Sequence, residues 1–255
     1  MIKLTFLGTG TSQGVPVIAC DCKVCRSTDT HDKRLRTSAL LEIDGKVLLI
    51  DAGPDFRQQL LRAEVKQLNA ILLTHEHKDH AAGLDDVRAF NHITGRAVDI
   101  YAETRVLDAL KKEYNYVFAE HKYPGSPEMS LHAIDERPFE AADIHITPVR
   151  VWHYRMPILG FKIHRLAYIT DAKTIDDSER EKLKNLDVLV VNAVKHGTHI
   201  SHFSLEEALA FIDEMKPRRA YLTHLSHRLE KHAELQAKLP PNVFLAYDGL
   251  VVESV

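Results

Sequence analysis

With 255 residues, 45% of them hydrophobic and 27% charged, the chain has the size and balance of a globular protein that can bury a sizeable core, which excludes a disordered or fibrous one. A formal net charge of -3 supplies no overall basic field, so long duplex nucleic acid is not an expected partner. No segment approaches the roughly 20 apolar residues that span a bilayer, and the first ten lack a signal-peptide core; a cytoplasmic protein that does not engage membranes is expected.

In chain order, residues 2–7 alternate in polarity and end in Gly8-Thr9-Gly10, the pattern of a strand entering a glycine-rich turn. All three cysteines, Cys20, Cys22 and Cys25, fall within six positions, which suits a metal site better than a disulfide framework. Residues 38–43 and 46–50 flank Asp44-Gly45, a strong hairpin signal, and the second strand runs into Asp51-Ala52-Gly53. Residues 56–63 have helical spacing. Residues 70–73 form an apolar strand that delivers Thr74 and His75, and a helix over 82–91 leaves that point.

The second half repeats the alternation. Strands are predicted over 98–102, 144–149, 160–163, 166–169, 188–192 and 220–223, and helices over 104–114, 177–184 and 205–214. Residues 243–246 and 250–252 are predicted to close the chain as a hairpin around Asp248-Gly249. No Pro-, Gly- or Ser-rich linker divides the halves, so residues 1–255 are expected to form one α/β unit, an αββα sandwich of two mixed β-sheets flanked by helices.

Sixteen histidines are more than packing requires. His31, His92, His121, His132 and His232 read as ordinary surface residues. Thr74-His75-Glu76-His77-Lys78-Asp79-His80 is different, because it places four potential ligands within six residues directly after a buried strand. In such a loop His75 and His77 can share one metal while Asp79 and His80 turn toward a second. These donors suit zinc, manganese or iron, and a metal pair about 3.5–4 Å apart is a recognised hydrolytic arrangement.

The H-x-H-x-D-H sequence resembles the signature of the metallo-β-lactamase superfamily, and the likeness extends over nearly the whole chain. It implies that His75, His77 and His153 bind one divalent metal, that Asp79, His80 and His224 bind another, and that Asp171 bridges them. His153, Asp171 and His224 each follow a predicted strand in the order the family uses. Asp51 matches a supporting carboxylate that orients a ligand histidine. Cys20, Cys22 and Cys25 supply three thiolates, and His227, three residues beyond His224, is the candidate fourth ligand of a structural zinc in a small element at 20–25.

Leu7-Gly8-Thr9-Gly10-Thr11-Ser12, C-x-C-x-x-C and Thr-His-Leu-Ser-His together look like the phosphoribosyl cyclic phosphodiesterase (PhnP) subgroup, and more distantly like ribonuclease Z. That likeness implies hydrolysis of a small cyclic ribose or nucleotide phosphodiester by a metal-bridging hydroxide, with Asp79 helping to orient it. His202, in Ser201-His202-Phe203-Ser204, matches the position that protonates the leaving oxygen. Lys195, His196 and His199 are candidate phosphate contacts. The alternatives are a thioester or lactone hydrolase of the glyoxalase type, a non-catalytic cofactor-biosynthesis protein related to the pyrroloquinoline quinone proteins, and ribonuclease Z itself, for which no basic glycine-rich arm is evident. The sequence leaves the oligomeric state open, a homodimer being one arrangement it admits.

Overall fold

A computed structural model describes residues 1–254. Two seven-stranded mixed sheets carry the architecture, as the alternating pattern predicts. The first sheet contains β1 (Ile2–Gly8), β2 (Ser38–Ile43), β3 (Lys46–Ile50), β4 (Ala70–Leu72), β5 (Val98–Glu103) and β6 (Met129–Ile134). The second contains β7 (Phe139–Ala141), β8 (Ile144–His153), β9 (Met156–Ile163), β10 (Leu166–Tyr168), β11 (Val188–Asn192), β12 (Arg219–Thr223) and β13 (Val243–Leu245). The fourteenth strand, β14 (Val251–Ser254), returns to the first sheet, giving the orders β14-β1-β2-β3-β4-β5-β6 and β13-β12-β11-β10-β9-β8-β7.

Each sheet is antiparallel at one end and parallel at the other. β14, β1, β2 and β3 pair antiparallel and then β3 to β6 run parallel; β7 to β10 pair antiparallel and β10 to β13 run parallel. The functional loops leave the C-terminal ends of β3, β4, β8, β10 and β12, and α/β sheets place ligand sites at such carboxyl ends.

Three apolar layers hold the sandwich. Phe6, Leu41, Leu48, Phe161, Tyr168 and Val190 belong to the cluster between the two sheets. The outer face of the first sheet is covered by α1 (Phe56–Arg62), α3 (Arg88–Thr94) and α4 (Thr104–Glu113), and that of the second by α5 (Asp177–Lys182), α6 (Leu205–Met215) and α7 (His232–Gln236); a short α2 (Lys78–Ala81) sits in the loop after β4. α6 starts on a capping box: Ser204 Oγ accepts from Glu207 N, and Glu207 reaches back to Ser204 N. None of the described helices is long and apolar enough to cross a membrane.

Two expectations are corrected. The helix expected over 82–91 is instead a 3-10 turn at Leu84–Val87 followed by α3 from Arg88, with α2 already ended at Ala81. Gly83 lies so close to the Gly53 carbonyl and Phe56 that a Cβ there would collide, and its N–H donates to Ala52 O at 2.8 Å, so the chain bends to follow the β3 loop. The terminal hairpin is absent: β13 joins β12 in one sheet and β14 joins β1 in the other. Asp248-Gly249 is a crossover between sheets, fixed by Asp248 Oδ1 accepting from Thr9 Oγ1 at 2.8 Å and Oδ2 from Leu35 N at 2.8 Å.

Candidate metal centre

The strands deliver their loops to one point, and the backbone there is tightly bent. Asp51, Asp171 and His224 all have left-handed φ, 62°, 58° and 54°. Asp and His adopt this conformation more readily than most residues. Gly53 makes the arrangement possible, because a Cβ there would strike the Asp79 carbonyl.

Asp79, His80, Asp171 and His224 offer ligand atoms that all lie within 4.8 Å of one another, and so do His153, Asp171 and His202. His75, His77 and His153 surround the adjoining space, with ring centroids 4.6 Å (His75–His77), 5.1 Å (His77–His153) and 5.7 Å (His75–His153) apart. Asp171 stands at the junction: Oδ2 is 3.3 Å from His80 Nε2, and Oδ1 is 3.3 Å from His224 Nε2 and 2.9 Å from His202 Nε2.

The hydrogen bonds behind these rings assign their tautomers. Thr74 Oγ1 donates to Asp51 Oδ2 at 2.9 Å and accepts from His75 Nδ1 at 2.9 Å, so His75 Nε2, buried and without a protein partner among the described residues, is left with its lone pair. Thr37 Oγ1 donates to Gly10 O at 2.7 Å and therefore accepts from His224 Nδ1 at 3.1 Å. His153 Nδ1 donates to the Asp171 carbonyl at 3.0 Å, and His80 Nδ1 to Asp51 Oδ2 at 2.7 Å. Four imidazoles thus aim Nε2 inward, which is the ligating pattern. Asp51 takes the supporting place its sequence position suggested.

Charge makes the same demand of two of them. Burial holds His75 well below the ordinary imidazole pKa and pushes His224 down to about 4, so both are neutral bases. Burial would also neutralise His80, but Asp171, Asp51 and Asp79 outweigh it and raise its pKa well above the usual value. Asp171 is buried yet held well below the carboxylate range by His224 and His80. Two carboxylates, Asp79 and Asp171, face the pocket and a third, Asp51, backs His80, a surplus of negative charge that fits divalent cations.

The thiolate element fits zinc. Cys20, Cys22 and Cys25 Sγ lie 3.2, 3.6 and 3.5 Å from His227 Nδ1. A tetrahedral site with Zn–S of about 2.3 Å and Zn–N of about 2.0–2.1 Å has an S···N edge of about 3.5 Å. Val17 N donates to Cys25 Sγ at 3.3 Å and Cys25 N to Cys22 Sγ at 3.4 Å. The latter is the main cause that lowers the Cys22 thiol to about 6, while burial pushes Cys25 up to about 11.

Several participants escaped the sequence. Asn192 pins the turn after Asp171, its Oδ1 accepting from Ala172 N at 2.8 Å and its Nδ2 donating to Ala172 O at 3.1 Å. Arg105 pairs with Glu76 and donates to Pro157 O at 2.7 Å, joining the β4 loop to the hairpin after His153. His196 turns away from the cage, gripped by Glu206 and Glu230 at 2.7 Å each, so its expected phosphate role is withdrawn. His199 does face the site, its Nδ1 3.2 Å from His202 Nδ1. His232 is no ordinary surface residue: it stacks on His31 at 4.8 Å, and its Nδ1 accepts from the buried Arg34 at 3.3 Å.

The family described as beta-lactamase superfamily domain matches residues 46–225. A Porphyromonas gingivalis protein named octanoyltransferase is 44% identical over 252 residues, 98% of this chain and 51% of that protein. A Nostoc punctiforme ribonuclease Z is 28% identical over 166 residues, 64% of this chain and 46% of that protein. The chain spans about half the length of these two relatives. The crystal structure of a diphosphatase from the PhnP family superposes with a TM-score of 0.93 at 39% identity, covering 98% of this chain and 96% of the other.

Proposed function

The chain belongs to the β-lactamase superfamily and, within it, to the PhnP family, and from that premise we propose that it is a metal-dependent phosphodiesterase acting on a small, cyclic ribose or nucleotide phosphodiester. The observation that carries the reading is the position of His202 beside the cage. Its Nε2 lies 2.9 Å from Asp171 Oδ1, and a carboxylate at that distance takes a proton rather than a lone pair, so His202 differs from the four inward-aimed imidazoles and holds Nε2–H.

In this reading Asp79, His80 and His224 would hold one metal and His75, His77 and His153 the other, with Asp171 serving both, and Cys20, Cys22, Cys25 and His227 would hold a structural zinc. Two divalent ions, when bound, would lower the pKa of a water and neutralise phosphate charge. The chain supplies the rest. Asp79 and Asp171 orient the attacking water by accepting its hydrogen bonds, and His202 gives its Nε2 proton to the alkoxide as the P–O bond breaks. A thioester needs no such donor, because a thiolate leaves readily at neutral pH.

Octanoyl transfer is not carried over from the Porphyromonas protein. That name belongs to a protein about twice the matched length, and the three thiols that could carry an acyl group are turned onto His227. The test is a panel of cyclic nucleotides, cyclic ribose phosphates, an aryl phosphodiester, a lactone and an octanoyl thioester, offered to protein of measured metal content. Turnover of diesters is expected; turnover of thioester or lactone alone would replace this reading with the glyoxalase one.

A further inference from the structure

The two halves of the cage are not supported alike. Four of its histidines have a partner on Nδ1: His75 has Thr74, His80 has Asp51, His153 has the Asp171 carbonyl and His224 has Thr37. His77, at the N-terminal end of α2, is exposed and has no such bond among the described residues. Such a bond normally fixes the ring of a ligand histidine and raises metal affinity, so the placement of His77 must be restrained in another way.

The restraint falls on its neighbour. Glu76, between His75 and His77, pairs with Arg105 in the first turn of α4. The other Glu76 oxygen, Oε2, is buried without a partner among the described residues, so the guanidinium carries the hold on this side chain. Arg105 also donates through Nη2 to Pro157 O at 2.7 Å, in the hairpin where Trp152 pairs with Pro157 and His153 with Met156. One planar fork thus spans the loop that bears His77 and the hairpin that bears His153. Two further bonds stiffen the joint: Arg150 Nη1 on β8 donates to Glu103 Oε2 at 2.9 Å, and Leu159 N on β9 to Thr74 O at 3.2 Å.

The other half of the cage is fixed from elsewhere. The Asp79 carbonyl packs against Gly53, and His80 O accepts from Ala52 N at 2.7 Å, so the end of the loop rests on β3. Asn192 pins the turn after Asp171, and Thr37 holds His224.

We propose that Arg105 is a positioning residue for the ion held by His75, His77 and His153, because it sets the His77 loop against the His153 hairpin, and that the ion held by Asp79, His80 and His224 does not depend on it. The inference rests on the two-ion reading and divides the cage into halves that can be weakened separately. Arg105 is 37% exposed, and an ion pair exposed to that degree contributes little to folding. Its work is geometric.

The experiment titrates apo-cage protein, with zinc retained in the thiolate element, with Co²⁺ against a competing chelator. Wild type should take two ions in the cage. In Arg105→Met one of them should bind about 10–100-fold more weakly, the other as in wild type, and the absorption spectrum of the ion that remains should match that of His77→Ala. The double variant Glu76→Gln/Arg105→Met removes the carboxylate left unpaired by the single change, so an effect of that stray charge would be reversed in it. The loss should persist. Wild-type affinity for both ions in Arg105→Met, equal weakening of both, or recovery in the double variant overturns the positioning role and leaves the hydrolase reading standing. If wild type takes fewer than two ions in the cage, the two-ion reading falls, and this inference falls with it.

Discussion

Thr37 and His224 meet at 3.1 Å through Oγ1 and Nδ1, although 187 positions separate them. Because the Thr37 proton is engaged by Gly10 O, its oxygen is the acceptor that fixes the His224 tautomer. Thr37→Val keeps the shape and removes the acceptor. Metal affinity measured against a competing chelator should fall by about 10–100-fold, with the circular dichroism spectrum unchanged. Unaltered affinity would mean that the hydroxyl plays no part in holding His224.

Asp171→Ala removes the group shared by His80, His202 and His224. Turnover should be abolished and bound metal in the cage should drop, because the spacing between two ions depends on the carboxylate between them. The core should survive, since Asp171 lies at a strand end rather than within one of the apolar clusters. A variant with wild-type rate and metal content would remove Asp171 from the bridging position.

His202→Ala should act selectively on leaving groups. General acid catalysis contributes roughly 10²–10⁴-fold when an alkoxide departs and little when a nitrophenolate does. Hydrolysis of cyclic ribose phosphates should therefore collapse while an aryl phosphodiester is largely spared, with both metals retained. Equal slowing of both would assign His202 to binding or to metal support instead.

Fully loaded protein should carry three metals, two in the cage and one in the thiolate element. The thiolate site is closed and its S···N spacing matches tetrahedral zinc, so mild chelation should empty the cage and stop turnover before it disturbs the Cys20–Cys22–Cys25–His227 element. Loss of all metals in a single step, or fewer than two metals in a fully active preparation, would contradict the assignment.

The cage was the most legible part of the sequence because its signal is local. Thr74 to His80 follow a short buried strand, and no packing demand explains such a run of ligands. Thr37, Asn192 and Arg105 left no comparable trace, since each acts on a residue made neighbouring only by the fold. The boundaries failed for a similar reason. Asp248-Gly249 carries a good turn signal, but a turn signal cannot say which strands the flanking segments will pair with. β6, whose residues after Met129 are mostly half-buried, and the three-residue β7 give too little alternation to read.

His232 gives a prediction for pH. Burial, reinforced by the Arg34 charge and by His31, lowers it from 6.5 to about 4. The unfolded chain then binds a proton that the folded one refuses, so the contribution is full above pH 6.5 and is lost as the pH falls toward 4. His232→Gln keeps an acceptor for Arg34 without a basic site. Between pH 7 and pH 5 its melting temperature should decline less than that of wild type; parallel declines would show that the imidazole is not destabilised in place.

The pairing of β1 with β14 sets an order of events as well as a shape. Thr9 and Asp248, 239 positions apart, must meet before the first sheet has its outer strand, and contacts of such separation carry a large loop-closure entropy and slow the approach to the native topology. The loop that carries Thr37 is fastened through the same crossover, by Leu35 N on Asp248 and by Arg34 on Ala246 O at 2.6 Å. On the ribosome, an emerging chain would hold the His75–His80 loop well before it could secure Thr37, so competence to retain metal should appear late and all at once rather than accumulate as the strands form.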